Sequence, residues 1–458
     1  MKQLVCIIGF LCVLWQESPG SRAAGADLQA AVSRMKAGDT LAVEAGVYET
    51  NLLIDRRLAL IGRGGPVIHG TGTGSVLTIT ADSCIVWGFT VEHSGRMLVE
   101  EDAGILLKSN GNLIEHNTLR DVLFGIYLYR ADGNLIRGNV VHGRKELELG
   151  ERGSGIHIWD SQRNTFSDNT IADVRDGFYF QNASNSRIER NEAYSLRYGL
   201  HYMYADSNVF LLNSFHDNVA GAAIMYSRGI LMRHNVFCRN RGFASFGILF
   251  QDSHGLEADS NVVSDNVVGM FLESSTDNTF HHNTIALNNC ALQMFQNSVN
   301  NTFTENNFID NLNPLAIVGK KTETRWSLQG RGNYWSSYNG FDMNGDGIGD
   351  IPMKIQNVFE YLEGQNPNLR LYLYSPASQA LAASAQAFPI IGINNEEDPS
   401  PLVRVIDLGS LPAVRMAVHA GLSTDRVQGG GGFLYAIPLA GLCGALVAVQ
   451  RLSRRARR

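Results

Sequence analysis

The chain has 458 residues, enough for one large core or several domains. Its formal charge is −6, which offers nothing to a nucleic-acid backbone. Charged residues make up only 18% and glycine reaches 47, a balance that points away from helical bundles and towards a β-rich, repetitive chain.

Residues 1–26 read as an export signal: Lys2, an apolar run from Leu4 to Trp15, and Ala24-Gly25-Ala26 as a small-residue cleavage site. That run is too short to span a bilayer comfortably. Residues 27–39, "ADLQAAVSRMKAGD" with its flank, predict a short amphipathic helix that caps the open end of a β-rich body.

From residue 40 to 312 the chain repeats. Gly155, Gly177, Gly199 and Gly221 open successive units of 22 residues, Gly104 and Gly125 precede them, and Gly247 and Gly269 come after an insertion of four. Asparagines keep the same beat: Asn117, Asn139, Asn169, Asn191, Asn213, Asn235, Asn261, Asn283 and Asn306. Short β-branched and aromatic runs between Asn, Gly and Asp turns at this period predict an all-β, right-handed parallel β-helix of about 10–12 coils, with the asparagines stacked in a ladder.

Strand alternation then sorts the side chains. Ile105/Leu107, Ile126/Leu128, Ile156/Ile158, Phe178/Phe180, Leu200/Tyr202, Ala222/Ile224 and Ile248/Phe250 point to the core. Tyr127/Tyr129, His157/Trp159, Tyr179/Gln181, His201/Met203, Ala223/Met225, Leu249/Gln251 and Phe271/Glu273 point outward. An outer face this rich in aromatic, His and Met residues predicts a contact surface, with Tyr127, Tyr129, Trp159, Tyr179 and Phe271 as its anchors. Adjacent coils are about 4.8 Å apart, so Met203 and Met225 can share one ion or support one partner side chain, whereas His157 and His201, about 10 Å apart, cannot hold one metal unaided.

Residues 313–353 form a Trp/Tyr- and Asp/Gly-rich segment. In "DMNGDGIGD", Asp342, Asn344, Asp346 and Asp350 occupy positions 1, 3, 5 and 9 of a calcium-type loop, with Gly347 at position 6; Met353 stands where the bidentate acid belongs. A self-capped glycine turn is the competing reading. Residues 354–401 form a tail and 402–430 a linker. The uncharged apolar run 431–450 predicts a transmembrane helix, and 451–458, with five arginines, a basic tail left on the cytoplasmic side. Cys6, Cys12 and Cys443 fall in the apolar ends; Cys84, Cys238 and Cys290 are too scattered for a disulfide framework.

The capping start, the coils, "GRGNYWSSYNGFDMNGDGIGDIPM" and "SPASQALAASAQAFPI", in that order, resemble the NosD family of periplasmic nitrous-oxide reductase maturation proteins. The likeness runs from the export segment to about residue 401 and stops there. It implies a non-enzymatic protein that works with the ATPase and membrane subunits of an ABC transporter, a copper-chaperone lipoprotein and the nitrous-oxide reductase apoprotein, to assemble a copper-sulfide centre. Copper(I) prefers thioether, thiolate and imidazole donors, and His157, His201, Met203 and Met225 supply two of these kinds on the outer face. His216 and Cys238, at equivalent outward positions, are a second soft pair. The expected protein is periplasmic and held to the inner membrane by its C-terminal helix. The alternative is a polysaccharide-acting lyase or epimerase, or a carbohydrate-binding protein. The outer face offers it only Glu273 as an acid, with Lys108 far below, and Asp176 and Arg175 read as turn residues.

Overall fold

The computed structural model describes residues 22–23, 27–242, 245–319, 321–355 and 396–408. The expected signal segment, most of the tail and linker, the transmembrane helix and the basic tail lie outside the described residues, apart from Arg22–Ala23, which pairs with Ala42–Val43. No helix among the described residues is long and apolar enough to cross a membrane.

Each coil supplies three short strands. One begins around the repeating glycine, as in Ser154–Trp159, Asp176–Gln181 and Tyr198–Met203. A second leads into the ladder asparagine, and a third comes directly after it. All pair in parallel, coil on coil, into sheets of 12, 13 and 13 strands, so the right-handed β-helix has about thirteen turns. Pairing continues past the last repeating asparagine: Asn313–Val318 ends the 12-stranded glycine-led sheet, and Tyr334–Trp335 ends one 13-stranded sheet.

The core obeys the alternation. Ile156, Ile158, Phe178, Phe180, Leu200 and Tyr202 are all 0% exposed, in one continuous cluster along the lumen. Glycine recurs because the backbone of the next coil passes too close for anything larger. A Cβ on Gly199 would sit 2.7 Å from the Gly221 carbonyl oxygen.

The asparagine ladder is continuous. Asn191 Nδ2 donates to Asn213 Oδ1 at 3.0 Å, Asn213 Nδ2 to Asn235 Oδ1 at 2.9 Å, and Asn235 Nδ2 to Asn261 Oδ1 at 3.0 Å. Each Oδ1 also accepts a backbone N–H from the coil before it. Two further ladders were not anticipated: Asn112, Asn134 and Asn164 at one corner, and Asn218, Asn240, Asn266, Asn288 and Asn311 at another. All three bury amides whose hydrogen bonds are met between coils.

Both ends are closed. The helix Leu28–Arg34, N-capped by Asp27, lays Leu28, Ala31 and Val32 over the first coil. At the other end the main ladder runs through Asn306 to Asn333 and stops on Asp398. The buried Asp398 carboxylate accepts from Asn333 N (2.7 Å), Trp335 Nε1 (3.0 Å) and Ser400 N (3.1 Å). Glu396 accepts from Trp326 Nε1 at 2.8 Å.

Two substitutions test this frame. Asn213→Ala removes an acceptor of two buried donors, and Asp398→Ala strands Asn333 and Trp335; each is expected to cost about 2–4 kcal/mol in urea unfolding of the full chain. A loss within about 0.5 kcal/mol, the size of an ordinary surface change, would contradict the ladder's role.

Candidate functional site: the outer wall of the glycine-led sheet

Parallel register makes two columns of side chains on the outside of this sheet. One stacks Tyr127, His157, Tyr179, His201, Ala223, Leu249 and Phe271; the other stacks Tyr129, Trp159, Gln181, Met203, Met225, Gln251 and Glu273. The wall has three zones.

The first zone is not the open surface the sequence predicts. Tyr127 is 3% and His157 5% exposed. Leu98 and Leu147 pack there with Leu123, Phe124, Tyr127, Tyr129 and Trp159. Leu147 belongs to the insert between Gly143 and Ser154, which Arg144 ties to neighbouring coils and Arg152 braces from within. Arg144 bonds Asp121 Oδ1 (2.7 Å), Gly95 O (2.8 Å) and Ser94 O (2.6 Å). Arg152 bonds the carbonyls of Leu147 and Lys145. Beneath this cover, His157 packs against Tyr127, ring centroids 4.6 Å apart, and Tyr179, 4.5 Å apart, and neither of its nitrogens has a hydrogen-bond partner. Burial, with the Arg175 charge adding to it, pushes its pKa down to about 3.

The middle zone centres on Asp176, which is fully buried at the start of its strand rather than in a turn. Arg197 grips it at 2.9 and 2.7 Å, Arg175 Nε lies at 3.2 Å, and His201 Nδ1 at 3.3 Å. Burial alone would raise the Asp176 pKa; the bonds from His201 and Arg197 overcome that and hold it below the usual carboxylate range. Arg197 Nη2 also lies 3.4 Å from His201 Nδ1, and its guanidinium stacks on Tyr198. A proton on His201 Nδ1 donated to Asp176 leaves the lone pair on Nε2, which bonds to nothing among the described residues. Met203 lies two residues along the same face, directly paired in register with Met225, and all three side chains are half-buried. The structure sets Met203 on Met225 in register and places His201 in the adjacent column, where its register partner is Ala223. It leaves His157 outside the group, beyond the Tyr179 ring. One imidazole and two thioethers are donors of the kind copper(I) takes, and a carboxylate behind the imidazole orients it.

The third zone is apolar. Phe271 packs with Phe246 (5.0 Å) and Phe295 (5.5 Å), all half-buried, over Val268, Cys290 and Ala316.

The other sequence candidates are engaged elsewhere. His216 gives Nδ1 to Asp217 (2.7 Å) and Nε2 to Glu192 (3.0 Å). Cys238, its register partner, is fully buried and burial pushes its thiol up to about 12. In the 342–350 loop, Asp342 accepts from the amides of Gly345 (2.6 Å) and Gly347 (2.9 Å), Asn344 from Asp346, and Asp350 from Met343. These are the bonds of a self-capped turn, and a calcium-type loop makes them as well. The Asp176 cluster escaped the sequence reading, although its signal was present: Arg175 and Arg197 are one period apart.

Comparison with known proteins agrees with this architecture. Residues 143–340 match a family described as "Periplasmic copper-binding protein (NosD)". A Pseudomonas aeruginosa protein named "Probable ABC transporter binding protein NosD" is 30% identical over 378 residues, covering 79% of this chain and 87% of its own. Its namesake from Stutzerimonas stutzeri is 29% identical over 79% of this chain and 86% of its own. Among solved structures, the A-modules of the Azotobacter vinelandii mannuronan C-5 epimerases AlgE4 and AlgE6 share the fold, with TM-scores of 0.51 and 0.52 at 14% identity. Each covers 66% of this chain, and the match spans 92% and 93% of those modules.

His157 supplies a pH test. Its pKa lies below the unfolded value of about 6.5, so its contribution to stability is full above that pH and is lost as pH falls towards 3. By pH 5 the loss is about 2 kcal/mol. His157→Phe is expected to gain that much on the wild type between pH 7 and pH 5 in urea unfolding. A pH-independent difference between the two proteins would contradict the buried neutral imidazole.

Proposed function

Because the chain belongs to the NosD family, we propose that it is a non-enzymatic accessory protein that works outside the cytoplasm and holds copper(I) on the outer wall as cargo. The observation that carries this reading is the His201 group: Nδ1 turned to Asp176, Nε2 left for a ligand bond, and Met203 stacked on Met225 beside it. The family's description as periplasmic and copper-binding supports it, as do the relatives' names. Three half-buried donors suit exchange better than permanent storage, since a partner's ligands can reach the ion.

In this reading the partners are the ATPase and membrane subunits of an ABC transporter, a copper-chaperone lipoprotein and the nitrous-oxide reductase apoprotein. The cargo serves the copper-sulfide centre. The phenylalanine patch of the third zone and the half-buried Tyr129, Trp159 and Tyr179 supply apolar area for docking. Residues 1–26 direct export and 431–450 anchor the body to the inner membrane.

Copper(I) competition against a chromophoric chelator tests the proposal. The full chain is expected to bind one tight equivalent, and the triple variant His201→Ala, Met203→Ala, Met225→Ala to lose it, about 100-fold or more in affinity. Unchanged binding in the variant would refute this site. A second reading rests on Asp176, His201, Arg197 and Tyr179 lying together on the wall, a set capable of acid–base work on a uronate chain. Unsaturated-product or epimerisation assays on uronate polymers, lost in Asp176→Asn, would favour it; no turnover would leave the accessory role alone.

A further inference from the structure

The sheet that leads into the main ladder carries a second set of ligand atoms, far simpler in chemistry. Asp259 ends the strand Glu257–Asp259, and His281 ends Thr279–His281 in the next coil; the two are direct register partners. His282 comes next, in the left-handed turn, φ 54°, just before the ladder residue Asn283. All three are half-buried.

Their ligand atoms form a small triangle. His281 Nδ1 is 2.9 Å from His282 Nδ1. Asp259 Oδ1 lies 3.4 Å from the first and 3.6 Å from the second. A point about 2 Å from all three corners, the usual bond length from a divalent transition ion to nitrogen or oxygen, lies just off the plane of that triangle. Three side chains of one coil pair therefore bring their ligand atoms within bonding distance of one point.

Each outer ring nitrogen faces a carboxylate, the arrangement metal-bound imidazoles usually have. His281 Nε2 lies 3.4 Å from Glu257 Oε1, and His282 Nε2 lies 3.5 Å from Glu305 Oε2. A carboxylate behind each ring orients it and raises its basicity. Glu257 stands two residues before Asp259 in the same strand, and Glu305 comes from the coil after His281.

Competing contacts exist. Asp259 Oδ1 accepts the Ser260 hydroxyl at 2.8 Å, and Oδ2 pairs with Arg233 Nε at 2.8 Å. Arg233 also reaches Glu257, and Arg331 holds Glu305 at 2.6 Å. Three carboxylates against two guanidiniums leave the cluster one negative charge in excess when both imidazoles are neutral, which favours a cation. No sulfur is present, so the set does not suit copper(I). Two imidazoles and a carboxylate suit borderline divalent ions, copper(II) above zinc(II).

We propose that Asp259, His281 and His282 form a binding site for a divalent first-row transition ion, through Oδ1 and the two Nδ1 atoms, with Glu257 and Glu305 orienting the rings. The site shares no residue with the copper(I) group on the outer wall and has no sulfur donor, so either stands without the other.

The test uses the full chain stripped of metal, titrated with zinc(II) by calorimetry and with copper(II) by electron paramagnetic resonance. One equivalent is expected, with nitrogen hyperfine structure in the copper(II) spectrum. The double variant His281→Gln, His282→Asn is expected to weaken it by about 100-fold or more; asparagine tolerates the left-handed turn. His234→Asn makes the same exchange at the equivalent turn position two coils earlier, φ 55°, and is expected to keep the equivalent. So is the His201/Met203/Met225 variant. Asp259→Asn, which preserves shape, gives a separate readout should the double variant unfold, and is expected to show the same loss. Equal affinity in the wild type and in whichever of these variants folds, or no binding of either ion at micromolar concentration, would overturn the site.

Discussion

Everything in this protein depends on coils that stack without slipping. Parallel strands set the rise at about 4.8 Å, but backbone pairing alone leaves corners where amides and carbonyls would lie buried without partners. Three asparagine ladders meet those groups, coil after coil, with side-chain bonds of 2.9–3.1 Å. A ladder tolerates no shift in register, because a shift by one residue would break every rung at once. The close approach at the repeating glycines adds the same constraint beside one of these ladders, where a Cβ on Gly221 would sit 2.8 Å from Asn240 Nδ2. The result is a rigid rod on which a residue's position in the period fixes its place on the surface.

That rigidity produces both candidate sites. On the glycine-led sheet it sets Met203 on Met225 and puts His201 beside them. On the next sheet it sets Asp259 on His281. Neither cluster needs a loop to fold around an ion. Ligands are brought together by the same stacking that makes the core, and the buried Asp176 carboxylate fixes the one ring that the wall must present. Closure of the last coil by Asp398 and the two tryptophans keeps the stack from fraying where the ladder would otherwise end.

The repeat was legible in the sequence because it is a period. Glycine and asparagine spacing named the fold, and alternation assigned Ile156, Phe178 and Leu200 to the core. What the period does not encode was hidden. Tyr127 and His157 occupy outward positions, yet a non-repeating insert pinned by Arg144 buries them. Asp398 closes the ladder from 65 residues beyond Asn333, a contact that no local pattern announces. The calcium-like spacing at 342–350 is real in sequence, and in the structure its carboxylates accept amides of their own loop. Arg175 and Arg197, and Asp259 and His281, repeat at the period and so were open to detection; polar residues at turns are common enough that their convergence on one carboxylate or one triangle emerges only in three dimensions.

The central claim is that the outer wall offers soft ligands to a transferable ion. X-ray absorption at the copper edge, on the full chain loaded with one equivalent of copper(I), addresses it directly. The account predicts a sulfur shell from Met203 and Met225 together with a single imidazole. A spectrum of nitrogen and oxygen neighbours alone would contradict it.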